Sequence, residues 1–591
     1  MGKRKTTKKK QASLYVLPIG VLLAIVPLIV HYHEFESGLE QFNWYAKEGT
    51  VGDVFLYYKS AMVTLLSAIM CALLLLRFKT DKGLFKPGRG FYPLLAYAAL
   101  TALSTIVSPY RYFGFHGSWE MYETLWVILG YCIIAFYAYQ CINSAEDISY
   151  LMKWITAGVA VMLIIGILQV CGHDIFLTGF GKMLITGKWG SEDQISLVFE
   201  KGRVFMTLYN PNYVASYFAL MIPAEAALFI NGKTLRSRIL YGIMLAASLV
   251  CLLASGNRSG IAAFAVTGLF ALALLCRQVL KAWKFVLPTV AAAVAVIAVF
   301  LAGNKLILEK FAMFFAPPAW EGNAISEIKT GEEDVAITYK GEVFHLSYSI
   351  DEGEYIRVGM YDGNGQEISS SLDKQNNLYT VNDSRFHGFT VKAGTLEGEV
   401  SLLVHADGLD WCFKKGEDGT YYYYNEFGRW DKIRRAPRVA TEFLEGRFEE
   451  RGTIWSKTLP MLKDSLILGT GADTYTVSYP QDDYVDKAYK GTGTQIDVKP
   501  HSFYLQVATQ SGIPALIAVL AFYLWYFVQS IRLYRKAEFK DKKEIIGAGL
   551  LFATFTYMLT AILNDSTVAV APIFWAMVGM GAAVNRMVMD T

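Results

Sequence analysis

Residues 499–516 read KPHSFYLQVATQSGIPAL. They mark the point where a long polar stretch, 303–500, gives way to an apolar run that opens with His501. The chain has 591 residues, 53% of them hydrophobic and only 18% charged, with a mean hydropathy of +0.31. A soluble protein of this length carries more charge, so the composition indicates a polytopic membrane protein with one large water-exposed insert. The 36 Tyr, 36 Phe and 12 Trp suit aromatic belts at two membrane interfaces. The insert's re-entry into the bilayer places an imidazole at that boundary.

Working outward from this junction, about twelve apolar segments reach spanning length. They lie near 13–32, 54–76, 91–107, 121–141, 151–171, 209–230, 239–255, 260–276, 285–302, 502–531, 545–563 and 567–585. The N-terminal run has a basic flank like a secretory signal, but it is long enough to span and is followed by HYHEFESG rather than a small-residue cleavage site. We read it as a retained first helix. Six Lys and Arg lie in 3–10, five in 77–89, three each in 231–238 and 277–284, and six in 532–543. With twelve spans these loops share one side, which the positive-inside rule makes cytoplasmic. Both termini are then cytoplasmic, the insert is extracellular, and the protein resides in the cytoplasmic (plasma) membrane.

The predicted organisation is a basic cytoplasmic tail (1–12), nine transmembrane helices (13–302), the extracytoplasmic insert (303–500), and three further helices with the C-terminus (501–591). Within the insert, 325–430 alternates in short runs such as EVFHLSYSI and GEVSLLVHADG, punctuated by Gly, Asn and Asp. This predicts a small β-sandwich-like domain. Residues 431–500 read as helix and loop. The fold class is therefore an all-α membrane bundle of about 12 helices with a β-rich extracytoplasmic domain. The seven cysteines form no CxxC pair, and no metal-ligand spacing is present.

The topology puts several polar groups at the outer face. Arg258, in the tight turn SGNRSG, must sit at or just within the membrane surface; a charge there is functional or snorkels to lipid phosphate. Arg203 lies in GRVFMTLYNPNY and Arg451 in RGTIWSKTLPML. A guanidinium is a planar fork that binds phosphate oxygens at any working pH. A lipid diphosphate would be its natural partner, and fixed cations would stabilise the charge that such a leaving group gains. His501 has the chemistry of a proton acceptor, although a lone His at a helix start also serves as an interface residue. Asp565, in NDST, could orient a base or a sugar. Glu120 and Glu123, in GSWEMYETLW, could bond sugar hydroxyls or interact with a helix dipole. The run GTGADTY lacks the Lys-Ser/Thr ending of a P-loop. Asp482, Asp483 and Asp486 match no cation loop and read as solvated acidic surface. The spans themselves are nearly free of charge.

The segments GRVFMTLYNPNYVASY, SGNRSG, RGTIWSKTLPMLKDSLILGTGADTY and HSFYLQVATQSGIPAL together resemble the O-antigen ligase and polymerase superfamily of bacterial envelope enzymes. NDSTVAVAPIFWAMVGMG fits its Gram-positive branch. The resemblance runs over about 90–300 and 445–585 and leaves the β-rich stretch without a counterpart. It implies transfer of an oligosaccharide from undecaprenyl diphosphate to an acceptor hydroxyl at the outer face, with inversion, no metal and no cofactor. It maps His501 onto the family's catalytic histidine, Arg203 and Arg258 onto its diphosphate-binding pair, and Arg451 onto a secondary contact. The implied partners are the lipid-linked oligosaccharide, membrane lipid, and a glycan, cell-wall or protein acceptor, not nucleic acid. A transporter or flippase of the same lipid-linked glycan is the alternative; it predicts charge deep in the spans.

Overall fold

A computed structural model describes residues 13–46, 49–80, 86, 88–188, 203–281, 322–350, 356–445, 448 and 450–590. Among these, seven helices are long and apolar enough to cross a membrane: Tyr57–Thr80, Arg89–Val107, Ala145–Val170, Pro211–Asn231, Leu235–Ala254, Ile513–Tyr534 and Ala571–Met589. The molecule is a polytopic membrane protein. Three apolar helices, Leu14–Leu28, Leu125–Cys141 and Arg258–Leu274, are shorter than a full span. Lys542–Thr560 opens in the charged run KKE. The expected ninth segment, 285–302, lies outside the described residues.

Two departures from the sequence reading have local causes. The first apolar run is cut into short pieces, with Pro18 and Pro27 each at the start of a new helical turn. A proline's fixed φ and missing N–H suit such starts and break a continuous helix. The run 502–531 is likewise two helices, Phe503–Ser511 and Ile513–Tyr534, separated at Gly512 with φ of 96°. Only glycine adopts that backbone without strain, and Pro514 then opens the second helix.

Two helices form the centre of the bundle. Pro211–Asn231 and Ala571–Met589 have 78% of their apolar windows buried, against 33–44% for the other five. Small residues let their neighbours approach: a Cβ on Gly579 would stand 2.3 Å from the Ala135 carbonyl oxygen, and one on Gly549 would stand 2.5 Å from the Ala227 Cβ. Close approach at small residues is how helices pack where lipid supplies no hydrophobic drive. The spans are less free of charge than the sequence suggests, since Lys59, Arg77 and Glu225 are all buried in helices. Lys59 is satisfied by three carbonyls, those of Ile29 at 2.7 Å, Phe55 at 2.7 Å and Thr207 at 2.8 Å. Glu225 accepts from Ser248 at 3.1 Å.

The β-rich stretch forms two antiparallel meanders. Four strands run in order Ile325–Thr330, Val335–Tyr339, Glu342–Ile350 and Ile356–Asp362. Seven follow, from Ser370–Asp373 to Trp430–Asp431, each paired with its sequence neighbour. Alternating residues of both sheets, among them Ile337, Phe344 and Leu346 on one and Val391, Val404, Trp411 and Phe413 on the other, join one buried cluster. The 425–431 hairpin then docks on the loop after the first helix: Asn425 donates to the Asn43 carbonyl at 2.9 Å and Arg429 to the Glu40 carbonyl at 2.7 Å.

The run GTGAD at 469–473 is a structural clamp. Thr470 and Gly471 donate their N–H groups to the Thr509 and Gln510 carbonyls at 2.9 and 2.8 Å. This caps the broken helix, and Ser104 reaches the same Gln510 carbonyl at 2.7 Å. A Cβ on Gly469 would stand 2.1 Å from the Gln510 carbonyl carbon. Gly469→Ala must push the clamp off that helix, at about 1–3 kcal/mol. Thermal unfolding in detergent should show a lowered midpoint for it. Gly268→Ala, where an added Cβ meets nothing within 4 Å, should show no loss.

Candidate functional site

The break at 512 leaves Phe503–Ser511 as a short helix, and His501 lies just before its Ser502 cap. His501 has φ of 52°, a left-handed conformation that costs a non-glycine residue energy and recurs at functional sites. What holds it there is Asp565. One carboxylate oxygen, Oδ1, accepts the Ser502 N–H at 3.0 Å. The other, Oδ2, lies 3.2 Å from His501 Nδ1. That contact is at ion-pair distance without hydrogen-bond alignment, and Oδ2 has no hydrogen-bond donor. The carboxylate is 1% exposed and the imidazole 25%, so the acid is buried behind a partly exposed ring.

The turn that carries Asp565 is fixed from both sides. The Phe503 N–H reaches the Ala561 and Asn564 carbonyls at 3.0 and 2.9 Å. Glu123, expected as a possible sugar contact, is buried and occupied: Oε1 accepts from Tyr131 and Ser566, each at 2.7 Å, and Oε2 from Gln506 at 2.9 Å. It ties the Asp565 turn to the His501 helix and offers no face to a ligand.

Three further segments meet this core. Lys499, two residues before His501, is 6% exposed. Its Nζ donates to the Tyr213 hydroxyl at 2.8 Å. Burial works against its charge, but Tyr213, Asp565 and Glu120 hold its proton, and the balance lies above the usual lysine range. Asn564 donates to Ser259 at 3.2 Å, the residue after Arg258, which is the first residue of its helix behind the Asn257 cap. Trp455 donates to the Pro500 carbonyl at 2.8 Å; Arg451 is one turn earlier on the same helix, a spacing that shares its face.

Arg203 starts the segment 203–210. Gln169 accepts the Phe205 and Met206 N–H groups at 3.2 and 2.8 Å, Lys59 holds the Thr207 carbonyl, and Glu120 accepts from Tyr209 at 2.6 Å. Arg203, Arg258 and Arg451 are each half-buried. The structure thus joins His501 to Asp565 directly and places the three arginines on segments that touch their surroundings. Glu120 faces Tyr209, four residues from the Tyr213 that holds Lys499.

Behind the site the acidic run is buried, contrary to its reading as solvated surface. Asp483 and Asp486 pair with Lys457 at 3.0 and 2.8 Å and with Arg438 at 2.6 and 3.2 Å. Asp482 pairs with Arg434. Burial also lifts the Asp497 carboxyl above the ordinary range, against the opposing pull of Lys487, Lys457 and His501. Lys499, Tyr213 and Asn564 were not singled out by sequence reasoning. Lys499 had one available signal, its place in KPHSF beside the imidazole.

A multi-pass bundle with a paired imidazole and carboxylate where an extramembranous insert rejoins its helices defines a membrane protein built for chemistry at its surface. Residues 421–520 match the model of the O-antigen ligase family, which supports a relation of this domain to the O-antigen ligase superfamily. The matched stretch contains His501, Lys499 and Arg451, and it begins within the last strands of the β-rich region. Arg203, Arg258 and Asp565 lie outside it. A search of curated proteins found no match to the chain.

Proposed function

We propose that the protein transfers an oligosaccharide from undecaprenyl diphosphate to an acceptor hydroxyl at the outer face of the cytoplasmic membrane. The observation that carries this reading is the His501–Asp565 pair, whose histidine lies within the stretch matched to the O-antigen ligase family. Asp565, 3.2 Å from Nδ1, orients the ring and leaves Nε2 to take the acceptor's proton. The acceptor oxygen attacks the anomeric carbon in line, the sugar–phosphate bond breaks with inversion, and undecaprenyl diphosphate leaves with the bonding electrons. Arg203 and Arg258 bind the diphosphate, and the buried Lys499 ammonium adds a third cation. No metal takes part in this scheme. Twelve spans with the two-sheet domain as an extracellular sandwich and both termini cytoplasmic complete the reading. The acceptor is a glycan, a cell-wall polymer or a protein.

The alternative, a flippase, is favoured by the charged residues buried in spanning helices, Lys59, Arg77 and Glu225. A flippase leaves the sugar–phosphate bond intact, so product analysis separates the two. In proteoliposomes with lipid-linked donor, Arg203→Ala and Arg258→Ala should each lower transfer about 100-fold or more, the scale of losing one preorganised charge contact in the transition state. Arg258→Lys should recover only part, because an ammonium lacks the bidentate fork. Wild-type release of undecaprenyl diphosphate at background rate, with donor crossing the bilayer intact, would reject transfer.

A further inference from the structure

The outer face of the seven-stranded sheet carries a cleft of about 600 Å³ that the transfer chemistry does not use. Its floor is made of small residues in register on three adjacent strands, Gly394 opposite Ser401 and Cys412 one row away opposite Leu403. A Cβ at Gly394 would meet nothing within 4 Å. Lys392, Asp410, Tyr424 and Glu426 also line the cleft. The Tyr424 ring lies 4.8 Å from that of Trp430.

We propose that this cleft binds the sugar chain of the lipid-linked donor; this rests on the reading above only in taking that donor to be a glycan. A sugar ring presents hydroxyls at its rim and C–H groups on its faces. A site for it needs an aromatic face and side chains that both donate and accept. Tyr424 supplies the face, Lys392 donates, Asp410 and Glu426 accept, and Ser401 does both. A peptide fits poorly. The floor strands are paired on both sides, which leaves no edge for strand addition, and Leu403 is the one exposed large aliphatic residue on the cleft wall.

Position favours the donor over the acceptor. The cleft's rim hairpin, 425–431, rests on the loop after the first helix of the membrane domain. Glu426 packs on Gly493, where a Cβ would stand 2.4 Å from its Cγ. From Gly493 to His501 is eight residues, at most ~29 Å of extended chain. A glycan whose reducing end is held by its lipid beside His501 starts within that distance of the rim, whereas a free acceptor has no such tether.

The test uses the full chain in nanodiscs, carrying His501→Ala so that nothing turns over. The probe is the oligosaccharide released by mild acid from the cell's undecaprenyl diphosphate pool, titrated calorimetrically. Tyr424→Ala should weaken binding at least tenfold. Gly394→Tyr, which fills the cleft without removing a contact, should do the same, and it guards against misfolding of the first variant. In the active protein, Gly394→Tyr should raise KM for the intact donor about tenfold with kcat kept, and leave a donor trimmed to one sugar unchanged. Equal affinity in parent and Gly394→Tyr overturns the proposal, as does a KM effect confined to the acceptor or binding of peptide in place of sugar. Loss of the transfer reading would leave the titration intact, and failure of the cleft would leave transfer with unaltered KM.

Discussion

His501→Ala is expected to lower glycan transfer by about 10²–10⁴-fold, the range lost when a positioned general base is removed, while thermal stability stays close to wild type. The imidazole is a quarter exposed, and its contact with Asp565 lacks hydrogen-bond alignment. Removing it therefore takes little from the fold. Asp565→Asn should produce an intermediate loss in kcat with KM unchanged, because the amide keeps the Ser502 contact through its oxygen but cannot stabilise an imidazolium. Transfer assayed with lipid-linked donor in proteoliposomes checks both. Near-normal turnover in His501→Ala would remove the base from the scheme, and a collapsed unfolding midpoint would assign the residue to the fold.

How this site comes together was partly legible in the sequence. The boundary at KPHSF announced His501 because polarity changes sharply there, and NDST announced Asp565 because polar residues between two apolar runs must lie at a surface. That the two would pair was not legible, since 64 residues separate them and the contact depends on how the 561–566 turn wraps the 503–511 helix. Helix existence followed from apolar run length, whereas the division at Gly512 was written in SGIP but masked by continuous hydropathy. The β-rich region was readable because strand alternation has a period of two, visible in EVFHLSYSI. Glu123 misled for a different reason. A carboxylate at a helix start has the same sequence whether it faces a sugar or is tied to Tyr131, Ser566 and Gln506. The acidic run 482–486 shares that ambiguity: its cations come from Arg434, Arg438, Lys457 and Lys490, and the first three lie 26 to 48 residues away along the chain.

That buried cluster carries the largest expected stability effect. Lys457 is 3% exposed and holds both Asp483 and Asp486, themselves 2% and 5% exposed. Lys457→Met fits the volume but removes the ammonium between two carboxylates. Arg438 and Lys490 remain on Asp486 at 3.2 and 3.0 Å, yet Asp483 keeps only Arg438 at 2.6 Å. Breaking one partner out of a buried ion pair costs about 3–5 kcal/mol, because the charge left behind stays desolvated. Chemical unfolding followed by tryptophan emission, with Trp455 on the same helix, should register the loss. Lys457→Met with Asp486→Leu should recover much of it, since an apolar pair carries no unpaired charge. If the double variant is as unstable as the sum of its parts, the cluster is not the source. Acid should probe the same contacts. Burial opposes ionisation of Asp486, but Lys457, Arg438 and Lys490 together hold its carboxyl well below the usual 3.8. A depressed folded pKa means that its stabilisation is complete above the ordinary carboxylate range and is lost as pH falls below about 4. The wild-type unfolding free energy should therefore decline steeply in that window. Lys457→Met, in which the depression is relieved, should decline less.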